Sequence, residues 1–219
     1  MTTNGRRPYH APHRDAIRNQ TMRRIRSAAH ELFLTQGYAT TTLGQVGKQA
    51  GVSSRYVQMA FGSKGELLSE VIKVAVVGDD AQVPLARRDS WTAMLAMGGQ
   101  GTLTAYAALS TEICHRTAGL LAVAASAAEA DAQLAQLRAG ALLRRHQDCL
   151  IIIDALASDG SLTPEYTPAE SADVFYALSS PETFLVLTRE RGWPPARYEE
   201  WLGRTLGVSL LKADPAPGK

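Results

Sequence analysis

Arg55, Tyr56 and Gln58 are the residues of this 219-residue chain whose types and spacing most directly suggest chemistry. Arginine makes paired hydrogen bonds to guanine, glutamine makes them to adenine, and a tyrosine hydroxyl binds phosphate. Other side chains that complete such a surface lie nearby in the sequence: Thr42, Ser53, Ser54, Met59 and Lys64. We therefore expect these residues to contact double-stranded DNA.

Two short predicted helices position this surface. Thr42 and Gln45 have the spacing of a capping box, in which each side chain satisfies a backbone amide of the other residue. Gly51 ends the first helix, because glycine adopts the left-handed conformation at little cost. Ser53 caps the second helix only two residues later. The pattern predicts a helix-turn-helix whose second helix enters the major groove.

The charge distribution agrees with a polyanionic partner at one end of the chain. The first 64 residues carry ten Lys and Arg residues against Asp15 and Glu31, a net charge of +8, whereas the remainder carries −6. The whole-chain value of +2 conceals this difference. Such asymmetry favours nucleic acid over a merely solvated basic face. Arg6 and Arg7 are either a minor-groove arm or a frayed basic end.

Apolar residues recur every three or four positions along most of the chain, and no convincing period-two strand interrupts them. We predict an all-α fold, with an N-terminal three-helix helix-turn-helix domain followed by a helical ligand-binding and dimerisation bundle. The first helix runs from about Asp15 to Gly37. Later helices are expected at about 65–78, 90–97, 102–116, 119–128, 130–158, 169–191 with a break near Pro181, and 198–210.

The same pattern predicts four regions. Residues 1–14 form a flexible basic arm and 15–64 the DNA-binding domain. Residues 65–213 form the ligand-binding and dimerisation domain, and 214–219 a disordered tail.

Residues 37–68, GYATTTLGQVGKQAGVSSRYVQMAFGSKGELL, resemble the TetR family of bacterial repressors. The matching features are an aromatic residue after the first-helix glycine, a Thr-Thr pair, Ala-Gly-Val-Ser, and a Phe followed by Ser-Lys. A looser resemblance to closing helices of many actinobacterial-type members covers residues 180–206.

The resemblance implies a repressor that binds a palindromic operator as a homodimer and is released by a small, largely apolar effector. It also implies that helix four is the lever between the two domains. The family usually has a tyrosine where this chain has Gln58, and often a histidine where it has Ala60. Either Tyr56 replaces that tyrosine's backbone contact, or Gln58 reads a base instead. The alternative function is a non-specific or architectural DNA-binding protein without an effector.

Two further sets of residues are expected in the bundle. The candidate lining of the effector pocket is Trp91, Met94, Tyr106, Ile113, Leu143, Gln147 and Phe175. The candidate dimer interface is Leu178, Leu185, Trp201, Leu202 and Leu206, because apolar surface on terminal helices normally requires a partner.

Other classes of function are disfavoured by the sequence. There is no nucleophile motif, no paired carboxylates and no cofactor fingerprint, so we predict no enzyme activity, no cofactor and no metal. The spacing of His146 and Cys149 suggests ligands on one helix face, but no carboxylate cluster accompanies them. No apolar run has the length of a membrane helix and the start is not a secretory signal. Cys114 and Cys149 are expected as buried free thiols of a cytoplasmic protein.

Overall fold

The computed structural model describes residues 12–79 and 83–213. Across these two ranges the chain forms ten α-helices, and the only β pairing is one isolated bridge between Leu162 and Leu211. The all-α prediction is therefore confirmed. Residues 1–11 of the predicted arm, with Arg6 and Arg7, and the predicted tail 214–219 lie outside the described residues.

The helices follow one another through short connections. Their bounds are α1 Pro12–Thr40, α2 Leu43–Ala50, α3 Ser54–Phe61, α4 Lys64–Val77, α5 Asp89–Leu95, α6 Gly99–Ala127, α7 Ala132–Ser158, α8 Pro168–Leu178, α9 Pro181–Leu185 and α10 Pro195–Leu210. A 3₁₀ turn spans Leu85–Arg87, and a π-helical turn at Val186–Glu190 continues α9. No helix in the described ranges is both long and apolar enough to cross a membrane.

The bounds of α1 differ from the sequence prediction at its start. The helix begins at Pro12, three residues before Asp15, because proline is well tolerated in a first helical turn. Its helical backbone is interrupted at Gly37, where φ is +77°, and one further turn carries the chain to Thr40.

The helices predicted at 102–116 and 119–128 are one continuous helix, α6. Gly119 does not break it, because a glycine inside a helix costs only about 1 kcal/mol. The neighbouring Ala118 and Leu120 are buried, and their packing compensates for that cost. Gly98, with φ of +68°, precedes the first turn, so α6 starts at Gly99 rather than at residue 102.

The helix predicted at 169–191 is divided into α8 and α9. Ser180 accepts a hydrogen bond from the Thr183 amide and so caps a new helix. Pro181 occupies the first turn of that helix, where an amide hydrogen is not needed.

Two hydrophobic cores lie along the molecule. The first joins α1–α4 with Leu120, Ala124 and Leu134 from the ends of α6 and α7. The second lies among α5–α10. We call α1–α3 the head and α5–α10 the body. Helix α4 contributes buried Leu67, Leu68 and Val71 to the head core, so it is packed with the head although it follows Lys64.

Candidate nucleic-acid interface and effector site

The turn between α2 and α3 is held by two glycines. Gly51 adopts the left-handed conformation, with φ of +69°. The amide of Val52 donates to the carbonyl of Gly47 over 2.8 Å. A Cβ at Gly47 would lie 2.8 Å from the Val52 carbonyl oxygen, so only a residue without a side chain lets the turn pack this closely against α2. The two helices are thereby braced as one unit.

Hydroxyl caps start both helices. The Thr42 hydroxyl accepts from the Gln45 amide over 3.1 Å, and the Gln45 side-chain oxygen accepts from the Thr42 amide over 2.8 Å, which confirms the predicted capping box. The Ser53 hydroxyl accepts from the Tyr56 amide over 3.2 Å. Its own proton remains available to a phosphate oxygen.

Helix α3 presents a polar face away from the head core. Val57 is fully buried and holds the helix to the core. Four of the side chains predicted to contact DNA from this helix are exposed: Ser54, Arg55, Gln58 and Met59. The fifth, Tyr56, is half-buried and packs against the head core. Met59 is 76% exposed. The arrangement fits a helix that inserts into a groove and contacts base edges.

Lys64 has intramolecular partners. Its ammonium donates to the carbonyls of Tyr38, over 2.7 Å, and Ala39, over 3.4 Å. It also lies 4.2 Å from the centre of the Tyr38 ring. The side chain thus caps the end of α1 in addition to any contact with a phosphate.

Basic side chains of α1 adjoin the end of α3. Arg18, Arg23 and Arg26 line a groove of about 720 Å³, together with Phe61 of α3 and residues of α4. These arginines are three of the ten basic residues of the first 64 positions, and Glu66 and Glu70 of α4 line the same groove.

The predicted effector lining is only partly brought together. Trp91, Met94 and Phe175 are buried in the body core, and the Tyr106 ring lies 4.6 Å from that of Phe175. Ile113 is half-buried. Leu143 and Gln147 are exposed on α7 and do not line this core. Their predicted placement was wrong, because the inner face of α7 is formed by Cys149, Ile152, Ile153 and Leu156 instead.

Three polar atoms in the body are buried without a hydrogen-bond partner among the described residues: Trp91 Nε1, Ser171 Oγ and Tyr198 Oη. Buried polar groups are nearly always paired, so each exception requires an explanation. Nearby groups are paired. The Tyr106 hydroxyl donates to Ser179 Oγ over 3.3 Å, and Arg145 donates to the same oxygen over 3.1 Å.

Burial also governs ionisation in this core. It raises the pKa of Tyr106 to about 12. It raises the pKa of the Cys114 and Cys149 thiols to about 11, so both remain protonated near neutral pH. Both cysteines are free and buried.

His146, which was considered with Cys149 as a metal ligand, lies against a carboxylate instead. His146 Nε2 lies 2.9 Å from Asp173 Oδ1 and links α7 to α8. In the part of the chain that the structure describes, no three His, Cys, Asp or Glu side chains are grouped to hold a metal ion.

Two of the five predicted dimer residues are wrongly assigned. Leu202 and Leu206 have no exposed surface and lie in the body core, because the apolar stripe of α10 faces α6. Leu178, Leu185 and Trp201 are half-buried at the edge of that core. The exposed apolar residues of this region are Val186, at 42%, and Val208, at 83%, which sequence periodicity did not distinguish from core positions.

Two contacts between distant segments were not predicted from the sequence. The Tyr38 hydroxyl donates to Asp131 Oδ2 over 2.6 Å, which joins the head to the start of α7. Arg116 of α6 donates to the carbonyls of Ala75, over 2.9 Å, and Val76, over 3.3 Å, so it caps the end of α4. No short-range sequence pattern marks these three residue pairs, because the partners lie 93, 41 and 40 positions apart in the chain.

Comparison with known proteins agrees with this geometry. Residues 25–71 match the family model described as bacterial regulatory proteins, tetR family. This range contains α2, α3 and the buried part of α4. No curated protein matches the chain.

Solved structures share the fold over nearly the whole chain. NalD from Pseudomonas aeruginosa, the secondary repressor of the MexAB-OprM multidrug efflux pump, is 22% identical, with a TM-score of 0.67, and the match covers 90% of this chain and 98% of that one. A transcriptional regulator from Saccharomonospora viridis in complex with choline is 16% identical, with a TM-score of 0.65 and coverage of 89% and 100%. A TetR-family regulator from Rhodococcus sp. is 15% identical, with a TM-score of 0.67 and coverage of 87% and 98%.

Proposed function

We propose that the chain is a ligand-responsive transcriptional repressor, on the premise that residues 25–71 match the family model described as bacterial regulatory proteins, tetR family. It binds a palindromic operator as a homodimer and is released by a small, largely apolar effector. The domain limits of 15–64 for DNA binding and 65–213 for sensing and dimerisation are part of the proposal.

The observation that carries the DNA-binding role is the exposed polar face of α3 on a braced helix pair. Arg55 and Gln58 are exposed and point away from Val57, the residue that fixes α3 to the core. Such a helix reads base edges, whereas the hydroxyl of Ser53 and the α1 arginines contact phosphates. Thr42, Ser54, Tyr56, Met59 and Lys64 complete the proposed surface.

The unpaired atoms Trp91 Nε1, Ser171 Oγ and Tyr198 Oη support an effector site in the body core. All three can donate a hydrogen bond to an acceptor carried by a bound molecule. The buried side chains of the described residues include no charged group, and Arg145 is bonded close to Tyr106 through Ser179. A neutral, mainly apolar molecule with oxygen or nitrogen acceptors fits this chemistry better than a cation does.

The proposed mechanism is a shift between two orientations of the head. Helix α4 packs in the head core, and its end is held to α6 by Arg116. An effector that moves α6 therefore moves α4 and changes the separation of the two heads in the dimer. Operator binding requires that separation to match about 34–36 Å of DNA. A ligand that favours the other orientation lowers operator affinity.

NalD is described as a repressor, and this supports repression rather than activation. The alternative is a non-specific or architectural DNA-binding protein. It would share the basic head, but it would not need a body with unpaired buried donors.

Fluorescence anisotropy with the full chain separates these functions. The probes are a duplex carrying a palindrome, located by footprinting the DNA upstream of the chain's own gene, and the same duplex with one half-site scrambled. We expect the palindrome to bind at least about tenfold more tightly at physiological salt, with two chains per site, because each mismatched base pair costs about 1–3 kcal/mol. Equal affinity for both duplexes would favour the architectural alternative.

A further inference from the structure

A crevice of about 300 Å³ lies where the head meets the body. Its lining comes from four elements: His30 and Leu34 of α1, Ala75 of α4, His115, Arg116 and Gly119 of α6, and Arg189 of the π-helical turn. Two of these side chains are arginines, two are histidines, and none is a carboxylate. The crevice is separate from the body core in which the effector is proposed to bind.

Gly119 makes room for this crevice. A Cβ at Gly119 would lie 3.0 Å from Leu34 Cδ2 and 3.1 Å from Arg189 Nη2. The Arg189 guanidinium therefore lies against the bare backbone of α6, close to α1. Arg189 belongs to a π-helical turn, a conformation found mostly as short insertions and frequently at functional sites.

The donors of the crevice are largely unused by the protein. Arg189, His30 and His115 have no hydrogen-bond or ion-pair partner within residues 12–79 and 83–213. Arg116 is anchored by its bonds to the Ala75 and Val76 carbonyls, and among the described residues its one ion-pair partner is the exposed Glu112, at 3.6 Å. The crevice thus has one fixed guanidinium and three side chains with free donors.

We propose that this crevice binds a small oxyanion of the phosphate class, either free phosphate or a phosphate monoester. Guanidinium groups bind such anions through paired, charge-assisted hydrogen bonds. An anion held there would bridge His30 of the head to Arg189 and His115 of the body. It would stabilise one orientation of the head, which goes beyond the proposed response to an apolar effector.

Isothermal titration of the full chain with inorganic phosphate, without DNA and at constant ionic strength set by chloride, tests the site. We expect one phosphate per chain. Arg189→Gln should weaken binding about tenfold or more, because a charge-assisted hydrogen bond contributes about 1.5–3 kcal/mol. Arg191→Gln is the matched control: it removes the same charge from an exposed residue outside the crevice, and it should leave the affinity within about twofold.

Gly119→Ala tests the same site without changing charge. The added methyl group would press on the flexible ends of Leu34 and Arg189 and displace them by a few tenths of an ångström. We expect a smaller loss of phosphate affinity than in Arg189→Gln, in a chain whose circular dichroism is unchanged. Titration with glycerol phosphate, a phosphate monoester, distinguishes the two ligands: whichever of glycerol phosphate and inorganic phosphate binds more tightly identifies the class of anion that the crevice binds.

Three results would overturn the proposal: no binding of phosphate or monoester above chloride, equal loss in the Arg189→Gln and Arg191→Gln variants, or unchanged affinity in folded Gly119→Ala. Because DNA is absent, none of these results depends on whether the chain recognises an operator.

Discussion

Arg55 is exposed and has no partner in the described part of the chain, whereas Lys64 binds two carbonyls of its own backbone. Removing Arg55 should therefore affect only DNA binding, whereas removing Lys64 should affect both DNA binding and the stability of the fold. A free arginine on α3 contributes only when DNA is present, whereas the lysine also stabilises the junction of α1 and α4.

Arg55→Ala should weaken operator binding and reduce discrimination at one base pair by about 1–3 kcal/mol, with no change in stability. Lys64→Ala should lower affinity for all sequences about equally, flatten the salt dependence by about one unit, and also lower the melting temperature. Anisotropy with single-base variants of the operator, together with thermal denaturation, measures both effects. Arg87→Ala removes an exposed charge outside the head as a control. If the two head variants lose affinity in parallel on every sequence, the roles assigned to them are wrong.

Tyr198 is a second residue whose surroundings make a clear prediction. Its hydroxyl is buried and has no hydrogen-bond partner in the described part of the chain, so Tyr198→Phe removes no hydrogen bond seen there. We expect the free energy of unfolding in urea to stay the same or to rise by up to about 1 kcal/mol. Tyr106→Phe is the comparison, because its hydroxyl donates to Ser179 and its loss should cost about 1 kcal/mol. If Tyr198→Phe loses more unfolding free energy than Tyr106→Phe does, the Tyr198 hydroxyl has a hydrogen-bond partner and the prediction is wrong.

Among the elements, α2 depends on the absence of a side chain at Gly47. A methyl group there meets the backbone of the turn, with Val52 O at 2.8 Å and Ser54 N at 3.1 Å, and backbone cannot move aside as a flexible side chain does. The crossing of α2 and α3 is the feature that places Arg55 and Gln58, so it should be sensitive to this position.

Gly47→Ala should destabilise the chain by about 1–3 kcal/mol and reduce operator affinity. Gly44→Ala, in the same helix, is a matched control. Its Cβ would meet only the Thr42 hydroxyl, at 3.7 Å, and an alanine in place of a helical glycine stabilises by about 0.5–1 kcal/mol. Melting temperature and anisotropy compare the two variants. Equal effects would show that the turn tolerates a side chain.

The head also contacts α7 through Tyr38. Asp131 accepts from the Tyr38 hydroxyl and caps α7 through the Leu134 amide, over 2.9 Å. The hydrogen bond from Tyr38, followed by that from Leu134, holds the pKa of Asp131 below its ordinary value. Burial and the bond to Asp131 raise the pKa of Tyr38.

Tyr38→Phe should lower the free energy of unfolding at pH 7 by about 1 kcal/mol. A carboxyl with a lowered pKa stabilises the fold above its ordinary pKa, and that contribution is lost as pH falls through the lowered value. The difference between variant and wild type should therefore shrink below about pH 4. Urea unfolding at several pH values measures it, with Tyr166→Phe as a partly exposed control. A difference independent of pH would show that Asp131 is not the partner that matters.

At the scale of the whole molecule, the proposed dimer depends on the surface around α10. Leu202 and Leu206 hold α10 to the body from within, while Val208 is 83% exposed on the outer side. Val186 is 42% exposed, and Leu178, Leu185 and Trp201 are half-buried; we propose that the partner chain covers these residues together with Val208.

Val208→Lys should convert the dimer to a monomer, as measured by sedimentation velocity at micromolar concentration. It should also reduce operator affinity, because a monomer contacts only one of the two half-sites. Leu143→Lys is the control, because Leu143 is 68% exposed on α7 and is not among the residues proposed for the interface. A dimer that survives Val208→Lys but dissociates in the Leu143 variant would place the interface on α7 instead.

The local signals in the sequence determined the helical class, the Thr42 cap, the Gly51 turn and the outward position of Arg55. Each of these depends on residues only a few positions apart, so spacing alone identifies it. Periodicity also identified the apolar stripe of α10. It could not say whether a stripe faces its own core or a partner, and this is why Leu143, Gln147, Leu202 and Leu206 were misplaced.

Only the tertiary structure decided which distant residues meet. Tyr38 with Asp131, Arg116 with the end of α4, and Arg189 over Gly119 are each brought together by helix packing rather than by neighbouring sequence. The same packing left Tyr198 Oη unpaired and created the crevice between head and body. Such contacts depend on how whole helices are placed against one another, and no local pattern of residue types carries that information.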